Sequence, residues 1–121
     1  LKLYTPLISQ TMEEFVISDL VGLEFVQSAA ILDQQGFVII SSPEDEKTKQ
    51  KMSKLAEILY ASNDFDKTSI ITENRIIMIK RLVKHFTLVI ECPTNSNLGR
   101  IRSEISSAAS RLDNYFSTTS R

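Results

Sequence analysis

Two apolar runs joined by a short turn constrain the fold more than any other feature of this sequence. The first run ends at Leu32, the turn reads Asp33-Gln34-Gln35-Gly36, and the second run covers 37–40. Asp33 suits the first position of a turn, and Gly36 can adopt the positive φ that closes it. The second run is apolar on both faces, which predicts a sheet covered on both sides.

Three segments show apolar residues at helical spacing, one before the two strands, one after them and one at the end of the chain. They predict helices over about 6–21, 43–62 and 98–116, and the polar residues 116–121 are expected to fray. Helix-capping preferences indicate the start of each helix. The expected caps are Thr5 followed by Pro6, Ser42 followed by Pro43, and Asn97, while Gly99 is expected to let the last helix approach the sheet.

Three further β-type runs lie between the second and third predicted helices, at 67–73, 76–79 and 86–90. Their connections are short enough for hairpins, which favours antiparallel pairing. The predicted order is therefore α-β-β-α-β-β-β-α in one domain of 121 residues. This order predicts an α/β sandwich, with a five-stranded, mostly antiparallel sheet and helices on both faces.

Composition argues against several functional classes. Fourteen basic and 15 acidic residues give a net charge of −1, without the basic excess typical of nucleic-acid binders. With one cysteine, Cys92, and one histidine, His85, the chain cannot form an intrachain disulfide or a Cys/His-rich metal site. No apolar run approaches the length of a membrane span. We therefore expect a cytoplasmic domain without cofactor, catalytic residues or direct membrane insertion.

Local clusters of charge have ordinary structural explanations. Three acids at 44–46 suit the positive end of a helix dipole better than a metal site. The segment Asn97-Leu98-Gly99-Arg100 opens a helix but lacks the lysine and hydroxyl of a phosphate-binding loop. Cys92 is expected to pack as a small apolar residue, and His85 to lie in a solvated turn. None of these clusters predicts an active site.

Two segments resemble signature regions of the roadblock/LC7 family. The first runs from Leu20-Val21-Gly22 through Asp33-Gln34-Gln35-Gly36 to the following apolar strand. The second, 96–102, resembles the Asn-Leu-Gly helix start of that family. The predicted order of elements matches as well, over nearly the whole chain.

This resemblance implies a non-enzymatic adaptor or regulator that dimerises and binds a small Ras-like GTPase. The dimer would form with a second copy or with a sister roadblock protein. In the family, the third strand pairs with its mate across a twofold axis, and the middle helices pack beside it. The implied dimer interface comprises Met52, Leu55, Leu59, Lys67, Ser69, Ile70, Ile71 and Glu73.

The polar side of the middle helix is the expected GTPase-binding surface. It carries Lys47, Lys51 and Lys54, which the core does not need. Two alternatives remain open at this point: a monomeric longin- or profilin-like trafficking or cytoskeletal module, and a small-ligand sensor domain. A dimer in solution favours the first interpretation, a monomer favours the module, and an enclosed apolar cavity favours the sensor.

Overall fold

A computed structural model describes residues 11–60 and 67–118 of the chain, and it confirms the predicted α/β class. The helices are α1 (Met12–Val21), α2 (Glu46–Tyr60) and α3 (Leu98–Thr118). The strands are β1 (Ser28–Leu32), β2 (Val38–Ser42), β3 (Lys67–Ile71), β4 (Arg75–Arg81) and β5 (Thr87–Pro93). No helix in the described part of the chain is both long enough and apolar enough to cross a bilayer.

The strands form one sheet in the order β2-β1-β5-β4-β3, and all four neighbouring pairs are antiparallel. β1 and β5 lie inside the sheet, and every residue of β1 is buried. β2 and β3 form the two edges. The sheet is covered by helices on both faces, as the run at 37–40 predicts, but the edge strand β2 leaves Val38–Ile40 partly exposed, and Phe37 precedes the strand with 67% of its surface exposed.

Helices cover the two faces of the sheet and enclose two apolar layers. α1 and α3 pack on one face, where Phe116 stacks on Phe86 with ring centroids 4.1 Å apart. α2 packs on the other face, where Met52 contacts a smaller cluster of residues from β1, β4 and β5. The two faces therefore differ, since among the described helices only α2 covers the smaller layer.

The helix that ends at Val21 begins at Met12, later than its periodicity predicts. Thr11 is extended, and its hydroxyl oxygen accepts a hydrogen bond from the Glu14 N–H at 3.2 Å. The Glu14 carboxylate accepts one from the Thr11 N–H at 2.8 Å, which completes a capping box. The predicted single helix over 6–21 is therefore wrong, and the caps proposed at Thr5 and Pro6 lie outside the described residues.

The middle helix also begins later than predicted, because Asp45 and not Ser42 caps it. Asp45 Oδ1 accepts a hydrogen bond from the Thr48 N–H at 2.7 Å, and this bond holds the pKa of Asp45 below its ordinary value. Ser42 belongs to β2 instead. The acidic run at 44–46 thus serves the start of the helix, as its position predicts, but through a side-chain cap.

Both signature turns adopt the conformations that their sequences favour. Gly36 has a φ of 87°, and Asp33 Oδ1 accepts hydrogen bonds from the N–H groups of Gln35 and Phe37 at 2.9 and 3.0 Å. Asn97 caps α3 by accepting from the Arg100 N–H at 3.0 Å. Gly99 is exposed, and a Cβ there would lie 3.3 Å from the Asn97 side-chain oxygen. Its small size leaves room for this cap rather than for close packing on the sheet.

Candidate functional site

A buried carboxylate ties the middle helix to the centre of the sheet. The side chain of Glu91 in β5 is only 4% exposed. Its Oε1 accepts hydrogen bonds from Ser28 Oγ at 2.7 Å and from Lys51 Nζ at 2.9 Å, and its Oε2 accepts from Arg75 Nη1. These four residues, called the Glu91 cluster below, join β1, α2, β4 and β5.

The surroundings of Glu91 keep it ionised at neutral pH. Burial by itself would raise the pKa of this carboxyl, but the hydrogen bonds from Ser28, Lys51 and Arg75 and the charge of Lys51 outweigh that effect. The net result is a pKa below the ordinary value of 4.5. A carboxylate held in this way is a poor general base, because its conjugate acid forms only at low pH. Because its hydrogen bonds join α2 to three strands, the cluster positions α2 on the sheet.

This arrangement gives Lys51 a contact that the sequence does not predict. Its ammonium group pairs with Glu91, although 41% of the side chain stays exposed. Lys47 and Lys54 are exposed. The predicted GTPase-binding lysines thus divide into one that anchors the helix and two that face solvent.

One flank of α2 carries these lysines together with an exposed isoleucine. At about 100° per residue, Lys47, Lys51, Lys54 and Ile58 fall within about 60° of one another around the helix. Because Lys51 reaches Glu91 and thereby approaches Arg75 of β4, this flank faces the side of the sheet that ends in β3. Ile58 is 62% exposed there. We refer to these four residues as the lysine flank.

The predicted interface residues occupy different environments. Met52 is fully buried in the chain's own core, and Leu55 packs against the same layer while remaining partly exposed. Ile71 is 61% exposed and Glu73 is also exposed. Met52 therefore packs between α2 and the sheet, and its side chain has no exposed surface for a partner to contact. Leu59 lies in α2, and Lys67, Ser69 and Ile70 lie in β3, but their side chains are outside what the structure describes.

The third strand ends the sheet on the side of the lysine flank. β3 pairs with β4 from Lys67 opposite Lys80 to Ile71 opposite Ile76. Within the described ranges, no strand pairs with its other edge. An unpaired edge exposes backbone donors and acceptors in a row that another strand can bind.

Cys92 and His85, the residues considered for chemistry, differ in burial. Cys92 is fully buried, and burial, with a contribution from the charge of Glu91, raises the pKa of its thiol to about 11. His85 lies in the exposed 3-10 turn Val83–His85, as expected. Across residues 11–60 and 67–118, no group of three or more His, Cys, Asp or Glu side chains could hold a metal ion.

Sequence reasoning overlooked the Glu91 cluster and the exposure of Ile58. A signal for the first exists, since Glu91 is the only charged residue in the apolar run 87–92. Burying a charged side chain in a strand is unfavourable unless oppositely charged or hydrogen-bonding partners lie next to it. The identity of those partners depends on the pairing of β5 with β1 and β4. Ser28 of β1 lies opposite Glu91, and Arg75 lies two residues before Ile77, which is the residue of β4 opposite Glu91.

Several solved structures share this fold, although the sequence itself matches no protein-family model and no curated protein. A roadblock/LC7 domain from Streptomyces avermitilis is 16% identical with a TM-score of 0.76, and the alignment covers 86% of this chain and 97% of that one. Myxococcus xanthus MglB is 18% identical with a TM-score of 0.78, covering 92% and 99%.

Profilin IA from Acanthamoeba castellanii is a more distant neighbour. It is 16% identical with a TM-score of 0.55, and the alignment covers 87% of this chain and 98% of that one. Since the TM-scores with the two bacterial proteins are higher, the arrangement of helices and strands is closer to theirs. The chain therefore has the fold of a roadblock/LC7 domain.

Proposed function

We propose that this protein is a dimer-forming, non-enzymatic adaptor or regulator that binds a small Ras-like GTPase. The observation that carries the proposal is the outer edge of β3, which has no strand partner among the described residues and ends in Ile71 with 61% of its surface exposed. The resemblance to roadblock/LC7 domains supplies the class of partner. The fold, shared with MglB over nearly the full length of both chains, supports the same interpretation.

The two sheet edges are not equally suited to self-pairing. The β1–β2 register shifts between Ile31 and Leu32, so that β2 carries an irregularity. Such bulges discourage a strand from pairing edge to edge. The five residue pairs of β3 with β4 follow in unbroken register. β3 is therefore the edge through which a second copy would extend the sheet.

The lysine flank would lie beside this interface. Pairing through β3 would place the second copy at the edge of the sheet that the lysine flank faces. Ile58 and Ile71 are 62% and 61% exposed, so covering the remaining surface of each side chain would contribute about 1–2 kcal/mol. Lys47 and Lys54 would then flank the joined helices and act mainly on the rate of GTPase association, as exposed charges do.

Light scattering after size-exclusion chromatography tests the dimer. We expect the wild type to have the mass of a dimer and Ile71→Lys to be monomeric, because a charge would have to be buried in the joined sheet. Phe15→Lys is the matched control, since Phe15 is also an exposed apolar residue, 51% accessible, but lies on α1. A monomeric wild type at high micromolar concentration contradicts the proposal.

Binding kinetics with purified small GTPases, loaded with GDP or a GTP analogue, test the partner class. Lys47→Glu and Lys54→Glu should each slow association and weaken its dependence on salt, while Arg102→Glu on α3 makes the same charge change on another exposed surface. Equal slowing by all three variants would mean that net charge alone acts. Failure of every GTPase from the same organism to bind would remove this half of the proposal.

A further inference from the structure

A surface groove lies on the side of α2 toward β2 and shares Lys54 with the lysine flank. Its volume is about 380 Å³, and it is open to solvent. The lining residues come from the start of β2 and from α2: Phe37, Val38, Glu46, Lys49, Gln50, Ser53 and Lys54. Around the helix, Glu46, Gln50 and Ser53 centre about 100° away from the lysine flank. The groove therefore faces the β2 edge of the sheet, whereas the lysine flank faces β3.

The walls of this groove are fixed by hydrogen bonds. Ser53 Oγ of α2 donates to the Gly36 carbonyl at 3.0 Å, which ties the helix to the β1–β2 turn. The Phe37 N–H donates to Asp33 Oδ1 at 3.0 Å, and the Phe37 carbonyl accepts from the Asp33 N–H at 2.8 Å. The backbone of Phe37 is thus held at both its donor and its acceptor. A groove braced in this way loses little conformational entropy when it binds a ligand.

The chemistry of the lining indicates what it would bind. Phe37 presents an aromatic ring that is 67% exposed, and Val38 adds partly exposed apolar surface beside it. Lys49 and Lys54 outnumber Glu46, so the lining carries a net positive charge although the whole chain carries −1. An apolar anchor next to an acidic group complements both features.

We propose that this groove binds a short acidic peptide segment of a partner protein, with an aromatic or aliphatic side chain against Phe37 and a neighbouring carboxylate near Lys49 and Lys54. The groove is open to solvent, which suits a bound peptide. A small-ligand sensor would instead require an enclosed apolar cavity. Lys54 belongs both to this groove and to the proposed GTPase-binding surface, whereas β3 and Lys47 do not contribute to the groove, so Ile71→Lys and Lys47→Glu distinguish the two sites.

Selection from a library of short random peptides displayed on phage, with the full-length chain as bait, tests the proposal. We expect the enriched peptides to combine acidic residues with an adjacent aromatic or large aliphatic residue. Synthetic copies of these peptides, labelled with fluorescein, would then be titrated with wild-type and variant protein by fluorescence anisotropy. Competition with unlabelled peptide would establish that the dye does not bind by itself.

Phe37→Ala should weaken binding of the selected peptides about ten-fold or more, as the loss of a central aromatic anchor does. Lys49→Glu should weaken it and reduce its salt dependence. Phe15→Ala, which removes an aromatic ring of similar exposure from α1, is the matched control and should leave binding unchanged. Circular dichroism would verify that all three variants keep the fold.

Three results would overturn the proposal: no enrichment of peptides, enrichment of basic peptides, or selected peptides that bind Phe37→Ala as tightly as wild type. The dimer variant Ile71→Lys separates this site from the proposed function. Peptide binding should persist in that variant, because the groove belongs to a single chain. For the wild type, failure to bind any GTPase while peptides still bind would refute only the proposed function, and GTPase binding without peptide binding would refute only the peptide site.

Discussion

Removal of the negative charge at Glu91 tests the idea that a buried ion cluster holds α2 on the sheet. The change Glu91→Gln keeps the size of the side chain but replaces one acceptor oxygen with an N–H2 group. That group must face either Arg75 or the pair formed by Ser28 and Lys51, all of which donate hydrogen bonds in the native protein. At least one charge-assisted hydrogen bond is therefore lost, and the remaining ones become weaker.

The expected cost follows from these contacts and from the exposure of the cations. A hydrogen bond to a charged group contributes about 1.5–3 kcal/mol. Lys51 and Arg75 are 41% and 42% exposed, so each can turn partly toward water once its acceptor is gone. We therefore expect Glu91→Gln to lower the free energy of unfolding by about 2–3 kcal/mol, a large share of the roughly 5–15 kcal/mol typical of a domain.

Urea denaturation at neutral pH measures this loss, with all proteins at the same concentration because self-association would add to stability. Glu57→Gln is the matched control, since Glu57 is exposed on the same helix, and it should change the free energy of unfolding by less than about 0.5 kcal/mol. A loss below about 0.5 kcal/mol for Glu91→Gln would refute the anchoring role of the cluster.

The pH dependence provides a second criterion. The pKa of Glu91 is lower in the folded chain than the ordinary value of 4.5, so its contribution is complete above that value and disappears as pH falls through the folded pKa. The difference between wild type and Glu91→Gln should therefore shrink as pH falls below 4.5 and disappear once pH is below the folded pKa of Glu91. A difference that stays constant with pH would mean that the charge of Glu91 does not stabilise the fold.

Two further predictions concern the turn and the buried thiol. Gly36→Val should cost about 1–3 kcal/mol in urea denaturation because Gly36 has a φ of 87°, whereas Gly36→Asn should cost less, and equal losses would refute backbone strain as the cause. Cys92, with a pKa of about 11, should react with iodoacetamide at pH 8 at least about a hundred-fold more slowly in the folded chain than in urea, and similar rates would contradict its burial.

The sequence by itself determined the class of fold and the chemistry of its turns. Hydrophobic periodicity reflects which face of a helix or strand is buried. The order of helices and strands can therefore be predicted without knowing which elements pack together. Asp33, Gly36 and Asn97 act through their own backbone neighbours, and their roles could therefore be predicted from local sequence. The signature residues of the roadblock/LC7 resemblance are of the same local kind.

Helix starts were predicted less well because several residues compete for the same role. Ser42 and Asp45 are both suitable caps, and Pro43 favours the first of them. Pairing of Ser42 with Ala29 in the sheet removes it from the competition, so the helix begins after Asp45. Such a choice depends on a strand partner distant in the sequence.

Tertiary structure alone decided which charged and apolar side chains are available to a partner. Lys47, Lys51 and Lys54 are equivalent in the helical pattern, yet only Lys51 reaches Glu91, because antiparallel pairing brings β5 to the centre of the sheet beneath α2. The hydrophobic pattern predicts that Phe37 belongs to a buried strand, yet Phe37 lies at the β2 edge of the sheet, beside a groove. Burial and ion pairing are properties of contacts between distant segments, and periodicity along one segment carries no information about them.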